Sequence, residues 1–175
     1  MITVDEALLD LYTDYLISSF SYTTATGLSQ LLDQSVSHDQ ITRFLAQRPR
    51  NSADLWHVVK PVVRRVERDE GVLIVDDSIE EKPYTDENDL ISWHYDHSKD
   101  RLLKGINFLT ALYQVGAVSL PVAFDLVTKT EIVIDKKTNK PRRKSTLTKN
   151  ERYRAMLKAC VHNQIKFRYV LNDAW

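Results

Sequence analysis

The stretch Val72-Leu73-Ile74-Val75-Asp76-Asp77-Ser78 decides the fold. Its four apolar residues predict a short strand buried on both faces, as in a sheet that helices cover. We expect this strand to end at Asp76 and Asp77. A second apolar run, Phe167 to Leu171, predicts another strand, and Asp173 follows it closely. If the two strands are neighbours, their acids meet at one edge of the sheet, where ligands of open sheets gather.

Carboxylates at such an edge are candidate ligands for Mg²⁺ or Mn²⁺, because hard cations prefer oxygen ligands and often bind carboxylates together with substrate phosphates. Two such ions can activate a water and stabilise the leaving oxygen when a phosphodiester is cut. Aspartate is also common where a strand enters a turn. The residues alone therefore leave both a metal site and ordinary turn-forming aspartates open.

The residues between the two strands predict the rest of a mixed sheet. Gly105 to Val115 and Ala117 to Leu126 are β-branched runs on either side of Gly116, which is typical of a hairpin. Residues 150–163 have the apolar spacing of a helix. Pro83 to His97 and Thr128 to Lys149 are polar, and we interpret both as loops. The order strand, strand, strand, helix, strand predicts an α/β fold with a mixed sheet.

The first part of the chain has helical periodicity. The predicted helices cover residues 1–20, with Thr3 as N-cap, two short helices within 25–47, and residues 52–67, where Pro61 would kink or split the helix. Ser37 caps the second short helix, and Arg43 lies on its exposed side. This spacing suits a helix-turn-helix that contacts DNA, although an ordinary helical pair has the same pattern. We predict a helical DNA-binding region at 1–68 and a catalytic region at 69–175.

Charge is segregated along the chain, although the whole sequence has 24 basic and 24 acidic residues. Acids dominate residues 69–100, whereas Lys and Arg dominate residues 129–168, which indicates a polyanion partner for the basic part. The candidate phosphate contacts are Lys104, beside the acidic strands, and Lys136, Lys137, Arg142, Arg143 and Lys144 in the basic loop. A solvated basic loop is the alternative. His94 and His97 have no cysteine partner, which argues against zinc.

Composition indicates a cytoplasmic protein. Cys160 is the single cysteine, so the chain forms no internal disulfide. The N-terminus lacks the pattern of a signal peptide, and no apolar run approaches the roughly 20 residues of a membrane span. We therefore expect no membrane association.

Four motifs in order resemble the bacterial insertion-sequence DDE transposases. They are Leu73-Ile74-Val75-Asp76-Asp77-Ser78 with Glu81-Lys82-Pro83-Tyr84, Tyr95-Asp96-His97-Ser98 with Lys104-Gly105, Arg168-Tyr169-Val170-Leu171-Asn172-Asp173-Ala174-Trp175, and the N-terminal residues 26–45. The resemblance implies an RNase H-like catalytic domain that cuts and joins double-stranded transposon ends with two Mg²⁺ or Mn²⁺ ions. It also implies a homo-oligomer on DNA, located with the nucleoid.

The same resemblance assigns catalytic roles to Asp76, Asp77 and Asp173, with Asp173 and one of the pair as metal ligands. We favour Asp76 because it closes the apolar strand. The family's third acid is a glutamate on a later helix, and no residue here matches it. The expectation is an N-terminal portion of a transposase whose sheet is incomplete and which is inactive alone. The alternatives are a DNA-binding repressor without catalysis, or an inactive gene remnant.

Overall fold

The computed structural model describes residues 4–20, 22–47, 49–136 and 138–173. The contacts divide the chain into two compact units, Met1–Arg50 and Asn51–Trp175. Each unit has its own cluster of buried apolar side chains. Within the described ranges, no helix is both long and apolar enough to cross a membrane.

The first unit contains three helices, α1 (Val4–Ser18), α2 (Ala25–Leu31) and α3 (His38–Ala46). Tyr15, Leu28 and Ile41, one from each helix, form its core. The Ser37 hydroxyl accepts from the Gln40 amide at 3.2 Å, which confirms the predicted cap of α3. The expected N-cap Thr3 lies outside the described residues. DNA contact by the α2–α3 pair stays a prediction.

The second unit is a mixed α/β domain, as predicted. Its elements are α4 (Ser52–Val66), β1 (Val72–Glu81), β2 (Ser92–Asp96), β3 (Arg101–Val115), β4 (Val118–Leu126), β5 (Glu131–Ile134), β6 (Pro141–Lys144), α5 (Lys149–His162) and β7 (Tyr169–Asn172). Strand β3 pairs antiparallel with β1, β2 and β4, and β7 joins β1 in parallel. This antiparallel meander, helical crossover and parallel strand are consistent with an RNase H-like fold. Strands β5 and β6 form a separate hairpin.

One face of the sheet is fully buried. Leu73, Val75 and Leu109 are 0% exposed and cluster with Val63 of α4 and Met156 of α5. On the opposite face of β1 the side chains are only half-buried. The prediction that the first strand is buried on both faces was therefore wrong. Among the described residues, both helices that contribute to this core pack against the same face.

The first strand also does not end at its aspartates. Pairing of β1 with β7 stops at Val75 and Asn172, but pairing with β3 continues to Glu81 and Gly105. The long antiparallel partner keeps β1 extended after the parallel partner has ended. Asp76 and Asp77 therefore lie inside β1, directly beyond its last pair with β7.

Three other expectations need correction. Residues 83–97 are not entirely loop, because Ser92 to Asp96 form β2, in which buried and exposed positions alternate. The basic segment contains the β5–β6 hairpin rather than a loop without regular structure. Helix α4 is continuous through Pro61, so that residue does not split it. The hairpin at Gly116 and helix α5 are confirmed.

Candidate active site

The aspartates of β1 and the aspartate after β7 line one cleft, which we call the acid cleft. It has a volume of about 360 Å³ and is lined by Asp76, Asp77, Ser78, Ile79, Tyr95, Asp96, His97, Ser98 and Asp173. The prediction that the two strands are neighbours is confirmed by their parallel register. Because Val75 pairs with Asn172, Asp76 and Asp173 each stand one residue beyond the last pair.

Asp76 and Asp77 face opposite sides of the sheet, because successive residues of a strand alternate. Asp76 is exposed, on the face opposite the helical core. One Asp76 carboxylate oxygen accepts from the Asp77 amide at 2.8 Å. Among the described residues, no Lys or Arg forms an ion pair with Asp76. Its carboxylate is therefore available to a cation from solution.

Asp77 already has partners on the core side. Its Oδ2 accepts from Lys149 Nζ at 2.5 Å and from Asn107 Nδ2 at 3.0 Å, and its side chain is only 17% exposed. Asn107 is fully buried, and its Oδ1 has no hydrogen-bond partner in the described part of the chain. The contacts neutralise Asp77 and tie the start of α5 to β1.

Sequence reasoning missed Lys149, although a signal was present. The Thr148 hydroxyl and the Glu151 side chain form a capping box, which marks where α5 begins. Lys149 is the first residue after that cap. A cation is disfavoured at a helix N-terminus by the helix dipole. Lysine at this position therefore indicates a specific anionic partner, and that partner is Asp77.

A second cleft, which we call the basic cleft, adjoins the acid cleft. It has a volume of about 520 Å³ and is lined by Trp93, His94, Tyr95, His97, Leu102, Val127, Lys129, Arg142, Ser145, Leu147, Thr148, Lys149 and Asn150. Tyr95 and His97 line both clefts. The two clefts therefore share a wall formed by the end of β2 and the turn after it.

His94 is a buried neutral histidine of the basic cleft. Burial and, to a smaller degree, the charges of Lys129 and Lys149 together lower its pKa to about 4, against the opposing effect of Asp77. His94 Nε2 lies 3.0 Å from the Ser92 hydroxyl. In the described ranges, no group of three or more His, Cys, Asp or Glu side chains is arranged to hold a metal.

Protonation of His94 should make the fold acid-sensitive. Its folded pKa of about 4 lies below the ordinary 6.5, so the unfolded chain takes up the proton first as pH falls. The contribution of neutral His94 to the free energy of unfolding is present above pH 6.5 and is lost toward pH 4. We expect His94 to account for about 2 kcal/mol of lost unfolding free energy between pH 7 and pH 5. Urea titrations of wild type and His94→Gln should show this difference, and equal pH dependence would contradict it.

The predicted DNA contacts are scattered. Arg43 is exposed on α3, and Lys136 and Lys144 are exposed on the hairpin segment. Arg142 pairs with Asp135 at 3.3 Å, and Arg143 pairs with Asp89 at 2.5 Å. Lys137 lies outside the described residues. Lys104 of β3 pairs with Trp93 of β2. Lys104 does not line the acid cleft, so the structure does not bring it beside the aspartates.

The donor set of the acid cleft suits a hard cation. Asp76 and Asp173 offer carboxylate oxygens, which are the ligands that Mg²⁺ and Mn²⁺ prefer. Two carboxylates with a substrate phosphate are an ordinary set for Mg²⁺. Asp76 and Asp173 are therefore the residues that could hold such an ion, whereas Asp77 forms an ion pair with Lys149.

An RNase H-like sheet with acids at adjoining strands is the architecture of metal-dependent nucleases. The chain belongs to the family described as DDE superfamily endonuclease, whose profile matches residues 5–175. No curated protein and no solved structure matches the chain. The family membership supports a nuclease or transposase-like domain whose substrate is DNA. Divalent metals are typical of the superfamily.

Proposed function

We propose that this chain is part of a transposase that cuts and joins DNA at the ends of bacterial insertion sequences. The observation that carries the proposal is the position of Asp76 and Asp173, in register beyond the last β1–β7 pair and in one cleft. Both are metal ligands in this proposal. In this proposal Asp77 acts through Asp76, since Lys149 and Asn107 both hydrogen-bond to its Oδ2.

The complete site holds two Mg²⁺ or Mn²⁺ ions in this proposal. Bound metal would make water a stronger nucleophile and stabilise charge on the leaving oxygen. The chain's own residues would bind the metal and orient its carboxylate ligands. Asp76 and Asp173 present oxygens at the end of paired strands, while the Asp77–Lys149 contact fixes the backbone of β1 beside α5. A rigid strand pair holds such ligands more accurately than a loop would.

The family's third acid is a glutamate on a helix after the second aspartate strand, and residues 1–175 contain no match to it. We propose that strand cleavage needs that glutamate in addition to Asp76 and Asp173. The protein would work in the cytoplasm on nucleoid DNA as a homo-oligomer.

DNA contact outside the acid cleft is assigned to exposed cations. The proposed phosphate contacts are Arg43 on α3 of the first unit and, in the second unit, Lys136, Arg142 and Lys144. Lys137, which lies outside the described residues, is proposed as a further contact. Arg143 and Lys104 are proposed to add to the positive field of the second unit rather than to the acid cleft. A repressor that binds DNA without cutting it would use the same residues. The exposed side chain of Arg43 on the well-capped helix α3 supports that second function.

Metal-dependent DNA affinity tests the proposal. We expect the 175-residue chain to bind a 30-base-pair duplex about tenfold more tightly in Mg²⁺ than in EDTA, because a cation bridges carboxylates and phosphate. Asp173→Asn should remove this increase, whereas Asp69→Asn, at a 90% exposed side chain, should keep it. Equal affinity with and without Mg²⁺ would contradict the proposal. We expect no strand cleavage, and Mg²⁺-dependent cleavage lost in Asp173→Asn would overturn the need for the glutamate.

A further inference from the structure

The basic cleft has the features of a nucleotide site. We propose that it binds one unpaired nucleotide of the DNA strand that passes the acid cleft, with its phosphate at Lys129 and Lys149 and its base against Trp93. The inference rests on the proposed function only in taking DNA as the substrate. Five observations carry it: charge, a buried histidine with a free ring nitrogen, backbone donors at the start of α5, aromatic walls, and adjacency to the aspartates.

Charge makes the cleft a site for an anion. Its lining contains the cations Lys129, Lys149 and Arg142 and no Asp or Glu, although Lys149 also pairs with Asp77 and Arg142 with Asp135. Burial lowers the pKa of Lys129, which shows that the ammonium is partly withdrawn from water. Lys129 Nζ donates to the Trp93 carbonyl oxygen, and an ammonium has three hydrogens to donate. Two donor positions of Lys129 are thus left for a ligand such as phosphate.

His94 offers a further polar contact inside the cleft. It is 7% exposed, and its Nε2 lies against the Ser92 hydroxyl. The other ring nitrogen, Nδ1, has no hydrogen-bond partner among the described residues. A ring nitrogen can donate or accept according to its tautomer. A ligand atom in the cleft could therefore hydrogen-bond to Nδ1.

The start of α5 adds backbone donors. Lys149 and Asn150 line the cleft, and the first amides of a helix have no partner within the helix. The Thr148 amide, by contrast, already donates to Glu151 Oε2. The α5 helix has 14 residues, so its dipole favours an anion at this end. These donors reinforce the charge of the two lysines and the contact available at His94.

Aromatic side chains fit the other half of a nucleotide. Trp93 and Tyr95 line the cleft and are 51% and 45% exposed. Bases of single strands stack on such rings above a positively charged surface. The volume of about 520 Å³ lies in the range of small-molecule sites. It accommodates one nucleotide and not a double helix, so the base must be unpaired.

The shared wall places this nucleotide beside the proposed reaction centre. Tyr95 and His97 border both clefts, and the Lys149–Asp77 ion pair connects them directly. A strand whose phosphate lies at Asp76 and Asp173 can therefore extend its neighbouring nucleotide into the basic cleft. Lys149 would then hold the substrate and β1 at once.

Binding of a fluorescein-labelled 12-residue oligothymidine, followed by anisotropy in EDTA, tests the inference without the metal. We expect Trp93→Ala to weaken binding by about tenfold and Trp93→Phe to restore most of it. Lys129→Met should reduce the slope of log affinity against log salt by about 0.7. The matched controls are Tyr84→Ala, at a fully exposed tyrosine, and Lys158→Met, at an exposed lysine of α5, and both should leave affinity and slope unchanged.

The outcomes separate this inference from the proposed function. Affinity that Trp93→Ala and Lys129→Met leave unchanged, in variants that unfold at the wild-type temperature, would overturn the nucleotide site. So would the absence of oligothymidine binding by the wild type. Neither result would change the expected effect of Mg²⁺ on the affinity for duplex DNA. Conversely, oligothymidine binding that depends on Trp93 would stand even if Mg²⁺ had no effect on duplex DNA.

Discussion

Asp76→Asn is expected to weaken Mn²⁺ binding by about a hundredfold or more, since even the residues that only orient metal ligands cost ten- to hundredfold when replaced. Asp76 is exposed, lies in the acid cleft with Asp173, and has no ion pair with Lys or Arg among the described residues. Asparagine preserves its size and removes the charge that holds a divalent cation. Isothermal titration with MnCl₂ at pH 7 measures the effect.

Asp77→Asn is the matched comparison, one residue away and with the same chemical change. Lys149 and Asn107 already occupy the Asp77 carboxylate, so we expect a loss of about tenfold or less, through misplaced backbone rather than a lost ligand. Unpairing Lys149 should also lower the unfolding free energy. If Asp77→Asn abolishes Mn²⁺ binding while Asp76→Asn retains it, the assignment of the two aspartates is reversed.

Gly105→Ala should destabilise the second unit by about 3 kcal/mol, at the upper end of overpacking costs. A Cβ at residue 105 would lie 2.2 Å from the Glu80 carbonyl oxygen and 2.9 Å from its carbon. Both are backbone atoms of the neighbouring strand, so no rotamer change relieves the contact. Strands β1 and β3 would have to separate at the last pairs of their ladder. Urea denaturation followed by circular dichroism measures the loss.

Gly116→Ala is the control for the same substitution without a clash. Gly116 has φ +54° in the β3–β4 turn, and nothing lies within 4 Å of an added Cβ. The left-handed conformation alone should cost about 1 kcal/mol. If the two variants are equally stable, close approach of β1 to β3 is not what requires glycine at position 105.

Local pattern was sufficient for much of the second unit. Val72 to Val75 and the run ending at Leu171 predicted β1 and β7 because short runs of β-branched, aromatic and other apolar residues favour a strand whatever its partners are. Glycine at position 116 between β-branched runs predicted the hairpin, since few other residues adopt a positive φ. The capping pattern around Thr148 accompanied a helix that the apolar spacing had already placed.

Pairing partners explain what the sequence could not predict. All residues from 76 to 81 except Ile79 are polar, and they remain in β1 because β3 is long enough to pair with all of them. The alternation of buried and exposed positions from Ser92 to Asp96 is short. It lies among charged and aromatic residues that are typical of loops, so the sequence did not indicate a strand there. The contact between Asp77 and Lys149 spans 72 positions in sequence, and only the fold brings the two residues together. The choice between Asp76 and Asp77 therefore depended on tertiary structure.

The position of a bound metal is the most direct test of Asp76 and Asp173 as the metal ligands. Crystals of the chain soaked in MnCl₂ can be measured for anomalous scattering at the manganese edge. We expect an anomalous peak in the acid cleft, in contact with carboxylate oxygens of both Asp76 and Asp173, and no peak between Asp77 and Lys149. A peak on Asp77 instead, or an acid cleft without manganese while the metal binds elsewhere, would contradict it.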